Sequence, residues 1–326
     1  MPWSSVNGAT LHYERHGRGE PVLLITGFAI SSAIFEPVLR DYTDRFQCIV
    51  YDHRGTGRSD APAGPTSMPQ LAADAAALLG ALGLDSAHVY GVSMGGMVAQ
   101  ELALRFPERV RGLVLGATTP GGPRAVRPTA QELAALLSAA VGGARTGRGQ
   151  WLAGALFSPE FRRQHPEQAR ALLAYFGRHR PTRAGVLAQW WATVYHDTTS
   201  RLGQIRAPTL VMHGERDSLT PLDNARTLAR RIPDAELAIV PGAGHAYALE
   251  APELSKRLLM EWLDRRGPIA AGARRTGFGA RAEPLTRPFG LPIGVARTGG
   301  SLAGLATERL AQRVRGGGAA GVASER

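Results

Sequence analysis

The chain has 326 residues, 44% of them hydrophobic, a formal charge of +11 and one cysteine. That is ample apolar material for a sizeable core in one large domain or two, yet no uncharged apolar run reaches the roughly 18 residues of a membrane span. A lone Cys48 excludes an intrachain disulfide, and residues 1–5 lack the basic and apolar segments of a secretory signal, so a soluble cytoplasmic protein is expected.

The positive charge is unevenly spread. Residues 267–326 carry nine Arg and three Glu, a net of +6, which leaves +5 for the first 266. Those 266 show no basic stripe interleaved with aromatics, which argues against nucleic-acid binding by the main domain. Lys256 is the only lysine. The arginine excess therefore reads as a compositional habit.

In chain order, residues 11–14 and 22–26 are strand candidates joined by the turn-rich Gly17-Arg18-Gly19. Residues 33–42 read as a helix. A strand at residues 46–51, containing a buried, inert Cys48, precedes a helix at 71–82. Next come an apolar strand ending at Tyr90, a glycine-rich turn, a helix from Met97 that Pro107 terminates, and a strand at 112–115. Strands alternating with helices imply a mostly parallel sheet covered on both faces, with ligands at the carboxyl ends of its strands.

From residue 119 to 206 the alternation stops. A breaker cluster, Pro120-Gly121-Gly122-Pro123, opens a region of helical segments, expected to be a cap inserted between core segments 1–118 and 207–266. Alternation resumes with a strand at 209–212, a helix at 221–231, a strand at 237–240 and a helix at 252–264. Residues 267–326 are rich in Gly, Ala, Arg and Pro and are expected to be disordered. Within them, Leu302, Ala306, Leu310 and Val314 are spaced for a short basic amphipathic helix that would contact an anionic surface.

The glycine-rich turn is Gly91-Val92-Ser93-Met94-Gly95-Gly96, a G-x-S-x-G pattern between strand and helix. The chain reverses so sharply in such an elbow that its flanking positions must be glycine, and the serine hydroxyl is held in the open. The pattern alone is weak, and the strand and helix around it give it weight. A serine nucleophile needs an imidazole to take its proton, and the imidazole needs an acid to fix its tautomer. Asp217, in a loop after the strand at 209–212, and His245, in Pro241-Gly242-Ala243-Gly244-His245-Ala246, follow Ser93 in the required order. Glu215 and Asp223 are weaker candidates for the acid.

Two backbone donors are needed for the developing oxyanion. The N–H of Met94, just after the nucleophile, and that of Phe28, after Gly27, are the candidates. His12, Glu14 and His16 would share one strand face, which reads as a solvated polar edge in preference to a metal cluster. His53 and His213 adjoin turns and read as structural. No paired-cysteine, H-E-x-x-H or G-K-[ST] pattern occurs, so neither metal nor cofactor is expected.

Leu23-Leu24-Ile25-Thr26-Gly27-Phe28, Tyr51-Asp52-His53-Arg54-Gly55-Thr56-Gly57-Arg58-Ser59, the elbow, Pro208-Thr209-Leu210-Val211-Met212-His213-Gly214 leading to Asp217, and Gly244-His245 together resemble the α/β-hydrolase superfamily. The pattern is nearest to its small capped esterases, enol-lactonases and cofactor-free haloperoxidase-like members. The resemblance covers the first 266 residues. It implies an α/β fold with a mostly parallel eight-stranded sheet, helices on both faces and an inserted helical cap. It also implies a Ser93, Asp217, His245 triad with Phe28 and Met94 as oxyanion donors. One departure is that many relatives carry His-Gly where this chain has Thr26-Gly27.

The expected reaction is acyl transfer to water from a small to medium, largely apolar ester or lactone through an acyl-enzyme on Ser93. Peracid-dependent halide oxidation by the same triad, and a ligand receptor without turnover, are the alternatives. The last cap helix, residues 183–196, carries Trp190, Trp191 and Tyr195, expected to line the substrate pocket.

Overall fold

The computed structural model describes residues 2–61, 64–142, 148–176 and 181–266. The expectations for the tail at 267–326 fall outside these residues. The strands are β1 (Trp3–Val6), β2 (Ala9–His16), β3 (Glu20–Ile25), β4 (Phe46–Tyr51), β5 (Ala87–Val92), β6 (Val110–Gly116), β7 (Thr209–Gly214) and β8 (Ala235–Val240). They form one sheet in the order β1-β2-β4-β3-β5-β6-β7-β8. β1 and β2 pair antiparallel, as do β2 and β4, and every later pairing is parallel.

The helices are α1 (Glu36–Leu39), α2 (Met68–Ala81), α3 (Met94–Arg105), α4 (Ala130–Gly142), α5 (Arg148–Leu156), α6 (Pro159–Gln164), α7 (Pro166–Phe176), α8 (Arg183–Val194), α9 (Asp223–Arg231), α10 (Tyr247–Glu250) and α11 (Pro252–Arg266). Strand alternation sorts the core into two layers, because successive side chains leave a strand on opposite faces. Leu23, Ile25, Ile49, Tyr51, Val89, Leu113, Leu115 and Val211 pack with apolar residues of α2, α3 and α9 on one face. Leu24, Cys48, Val50, Tyr90, Val114, Leu210 and Met212 meet α1 and the Leu259, Trp262 and Leu263 side of α11 on the other. Cys48 is buried, which pushes its thiol up to about 11. Between β6 and β7, α4 to α8 form the helical insertion, whose own cluster of Leu152, Phe157, Phe161 and Leu173 includes Leu219 of the core.

Several sequence expectations are corrected. The helix expected over 33–42 is a 3₁₀ turn, Ser32–Phe35, followed by the single-turn α1, because Pro37 lacks the N–H that would continue the ladder and instead sits where a new helix starts. α3 begins at Met94, three residues earlier than the apolar periodicity suggests, since its first turn is glycine-rich. β1 was not anticipated. By covering β2 it buries His12, which is not on a solvated edge: Trp3 pairs with His12 in the register, and their rings meet edge-on at 5.0 Å.

Trp262 is 1% exposed and anchors α11 to the sheet. Trp262→Ala should cost about 3–5 kcal/mol of stability. Urea unfolding checks this, and a loss below about 1 kcal/mol would contradict the packing described.

Candidate active site

Parallel pairing brings the carboxyl ends of the strands to one edge of the sheet. Across that edge Val92 pairs with Gly116, Gly116 with Met212 and Met212 with Ala238, while Ile25 pairs with Gly91. Ser93, the Phe28 loop, Asp217 and His245 all follow within a few residues of this row. Positions far apart in sequence thus emerge side by side.

At the elbow, Ser93 has φ +57° and ψ −121°, a left-handed conformation rarely held by a residue with a side chain. It is held there by its N–H donating to Gly116 O at 2.9 Å and by Thr118 Oγ1 donating to Ser93 O at 2.7 Å. A Cβ at Gly91 would collide with the Gly95 carbonyl, and one at Gly95 with the Ile25 carbonyl. The two glycines let strand and helix meet closely enough to make the turn.

Asp217 is fully buried at its side chain and gathers donors around it. Its Oδ2 accepts from His245 Nδ1 at 2.9 Å and from Thr220 Oγ1 at 2.6 Å, and its Oδ1 accepts from Thr220 N–H at 2.8 Å. His213 Nε2 lies 3.2 Å from Oδ2 and 2.6 Å from Thr220 O. Burial alone would raise the Asp217 pKa, but the His245 charge and the His213 and His245 hydrogen bonds outweigh it, holding the carboxyl well below the usual carboxylate range. Bonded to Asp217 through Nδ1, the His245 ring has its Nε2 on the side away from the carboxylate.

Ser93 and His245 line one apolar cavity of about 100 Å³, together with Phe28, Ile30, Leu156, Leu219 and Leu249. No Ser93–His245 hydrogen bond is closed among the described residues; such contacts commonly tighten only when substrate is bound. The Phe28 loop borders the elbow, since a Cβ on Gly27 would stand 3.3 Å from Ser93 Cβ. Three buried groups fix this loop. His53 Nε2 donates to Thr26 O at 3.3 Å, Ala29 N–H donates to Gln189 Oε1 at 2.8 Å, and Ser32 N–H donates to Asp52 Oδ1 at 2.7 Å. Burial outweighs the Thr26 hydrogen bond and the nearby Asp74 and Asp52 carboxylates and lowers the His53 pKa.

The histidine loop is clamped from the helical insertion. Glu250 accepts from Gly244 N–H at 2.9 Å, Ser158 N–H at 2.9 Å and Ser158 Oγ at 2.6 Å, and Ala246 N–H donates to Leu156 O at 2.8 Å. Gln189, Glu250, Ser158 and Thr220 are not among the residues the sequence points to, while His213, expected to be structural beside a turn, packs against Thr220 and Asp217. Only Thr220, three residues after Asp217 as in a side-chain turn, carries a local signal.

The aromatic residues expected at the pocket separate. Trp190 packs edge-on against Phe28, with ring centroids 6.2 Å apart, behind the loop and outside the cavity lining. Trp191 and Tyr195, one helical turn apart, stack on each other at 5.8 Å and border a different cavity of about 420 Å³ with Glu101, Arg105 and Arg201. Neither lines the cavity that holds Ser93. Glu215 donates its backbone N–H to Val240 O, and Asp223 pairs with Arg226 on the surface.

A model of the alpha/beta hydrolase fold matches residues 20–252. The protein named "Putative carbamate hydrolase RutD" from Azorhizobium caulinodans is 34% identical over 266 residues, covering 80% of this chain and 97% of that one. Among solved structures, a thermophilic esterase from Thermogutta terrifontis superimposes with a TM-score of 0.69 at 28% identity, covering 82% of this chain and 98% of its own. Est816, described as an N-acyl homoserine lactone degrading enzyme, gives a TM-score of 0.67 at 30% identity, covering 80% and 99%. The chain belongs to the alpha/beta hydrolase fold family, and it is a hydrolase. Among the described residues no helix is long and apolar enough to cross a membrane.

A carboxyl whose pKa is lower in the folded than in the unfolded chain stabilises the fold fully above the unfolded value of about 3.9, and that share is lost as pH falls through the folded value. Unfolding free energy should therefore fall more steeply in wild type than in Asp217→Asn as pH drops below about 4. Parallel acid profiles would contradict an ionised, donor-loaded Asp217.

Proposed function

We propose that this hydrolase cleaves carboxylic esters or lactones by way of an acyl-enzyme on Ser93. The observation that carries the reading is the shared cavity: a serine in a strained, positive-φ elbow and a histidine whose Nδ1 is bonded to a buried carboxylate line the same apolar space. His245 Nε2 takes the Ser93 proton as Oγ adds to the carbonyl, and the tetrahedral oxyanion is met by the N–H groups of Phe28 and Met94. Collapse expels the alcohol, which receives that proton. Water, activated by the same imidazole, then releases the acid. The esterase and the lactone-degrading Est816 among the structural neighbours support this substrate class.

The lining of the cavity narrows the substrate. Its walls are almost entirely hydrocarbon and its volume is about 100 Å³, which favours a short apolar acyl group. A carbamate carbonyl is the second reading, favoured by the RutD relative at 34% identity. The same triad would attack it, with the cavity accepting an apolar substituent on the carbamate.

Turnover of p-nitrophenyl esters of graded chain length, a lactone panel and aryl carbamates separates the readings. Short acyl esters should be the best substrates, and Ser93→Ala should lower kcat by on the order of 10⁶, by analogy with a serine protease whose nucleophile was removed. Asp217→Asn should cost on the order of 10⁴ through loss of the productive tautomer. Ser93→Ala turning over esters at the wild-type rate would refute the serine mechanism.

A further inference from the structure

Gln189 is a polar residue of α8 with no exposed surface, lying 160 positions along the chain from the backbone it binds. An amide buried without partners is destabilising, so its hydrogen bonds account for its presence there. Both ends are used: Oε1 accepts from Ala29 N–H at 2.8 Å, and Nε2 donates to Thr56 Oγ1 at 2.6 Å. Thr56 is itself buried, in the loop after β4, and its N–H donates to His53 O at 2.9 Å. The amide thus joins the helical insertion to the Phe28 loop and to the next core loop at once.

Ala29 needs such a partner. Its φ is +58°, a conformation that disfavours any residue with a Cβ and persists only where surrounding groups impose it. Its N–H belongs to the peptide that follows Phe28, so the Gln189 bond fixes that peptide plane. The neighbouring Trp190 braces the Phe28 ring edge-on. Two successive residues of α8 therefore hold the backbone and the side chain on which the Phe28 N–H depends. The close approach of Gly185 to Gly55, with Thr182 N–H donating to Gly55 O at 3.2 Å, seats the start of α8 firmly enough for them to do so.

We infer that Gln189 is a positioning residue for oxyanion stabilisation: the helical insertion completes the Phe28 side of the oxyanion hole as well as roofing the cavity. The inference rests on the serine-hydrolase reading given above. It assigns to Gln189 an effect on the transition state and little effect on substrate binding, because the amide touches the loop and does not line the cavity.

The test uses the full chain with a short p-nitrophenyl ester and a reversible aryl trifluoromethyl ketone. The ketone adds Ser93 Oγ to its carbonyl carbon, the C=O pair becomes an alkoxide, and the serine proton passes to His245. Gln189→Met removes both hydrogen bonds at nearly constant volume. It should lower kcat about 10- to 100-fold, in line with a slightly misplaced donor, with KM within about threefold. The ketone's Ki should weaken by the same factor as kcat/KM. Thr56→Val frees the amide without touching the Phe28 loop and should give a smaller loss with the same parallel. If Gln189→Met does not fold, Thr56→Val carries the test alone.

Unchanged kcat and Ki in a folded variant would overturn the inference, as would a rise in KM at constant kcat. A fall in thermal stability with the kinetic constants preserved would show a merely structural residue. If wild type itself turns over no ester beyond Ser93→Ala, the serine-hydrolase reading fails first, an outcome distinct from an active wild type and an equally active Gln189→Met.

Discussion

The site depends on one constraint of the backbone, the left-handed conformation of Ser93. A residue with a side chain stays at φ +57° only when its surroundings leave it no alternative, and here β5 runs into α3 with no intervening loop. The Gly116 and Thr118 hydrogen bonds lock the turn from the adjoining strand, and Gly91 and Gly95 remove the Cβ atoms that would force it apart. The local strain is offset by the two-sided core, in which β5 is an inner strand paired on both edges, to β3 and to β6. The outcome is a hydroxyl held at the sheet edge where the other loops converge.

Those loops are positioned by register. β7 and β8 pair from Thr209↔Ala235 to Gly214↔Val240, so the segments bearing Asp217 and His245 leave the sheet together and are cross-bonded, with Arg216 N–H donating to Ala243 O at 2.8 Å. The helical insertion then grips both sides of the site. Gln189 takes the Phe28 loop, and Ser158 with Leu156 takes the histidine loop through Glu250 and Ala246. The Thr26 carbonyl is held by His53 and the Ala29 N–H by Gln189, so the loop between them takes its support from residues distant in sequence.

What was legible in the sequence was whatever is encoded within a few residues. The elbow shows its glycines, the parallel core shows strand and helix alternation, and Asp217 and His245 sit in polar or glycine-rich loops directly after apolar strands. What was not legible comes from distant contacts. Nothing near Gln189 distinguishes a buried tether from a solvated helix residue. The separation of Trp190 from Trp191 and Tyr195 depends on the rotation of α8 against the core, which its mixed apolar pattern does not specify. His12 reads as solvated in the sequence because its cover, β1, is only the four-residue strand Trp3-Ser4-Ser5-Val6.

The proposed acyl transfer requires nucleophile, imidazole and backbone donors to meet at a single carbonyl. A high-resolution crystal structure of the protein after reaction with an aryl phosphonate ester tests this directly. Phosphorus should be bonded to Ser93 Oγ, with one phosphoryl oxygen about 2.7–3.1 Å from both the Phe28 and Met94 nitrogens and His245 Nε2 within hydrogen-bond reach of the adduct. An adduct on another residue, or a phosphoryl oxygen turned away from both N–H groups, would contradict it.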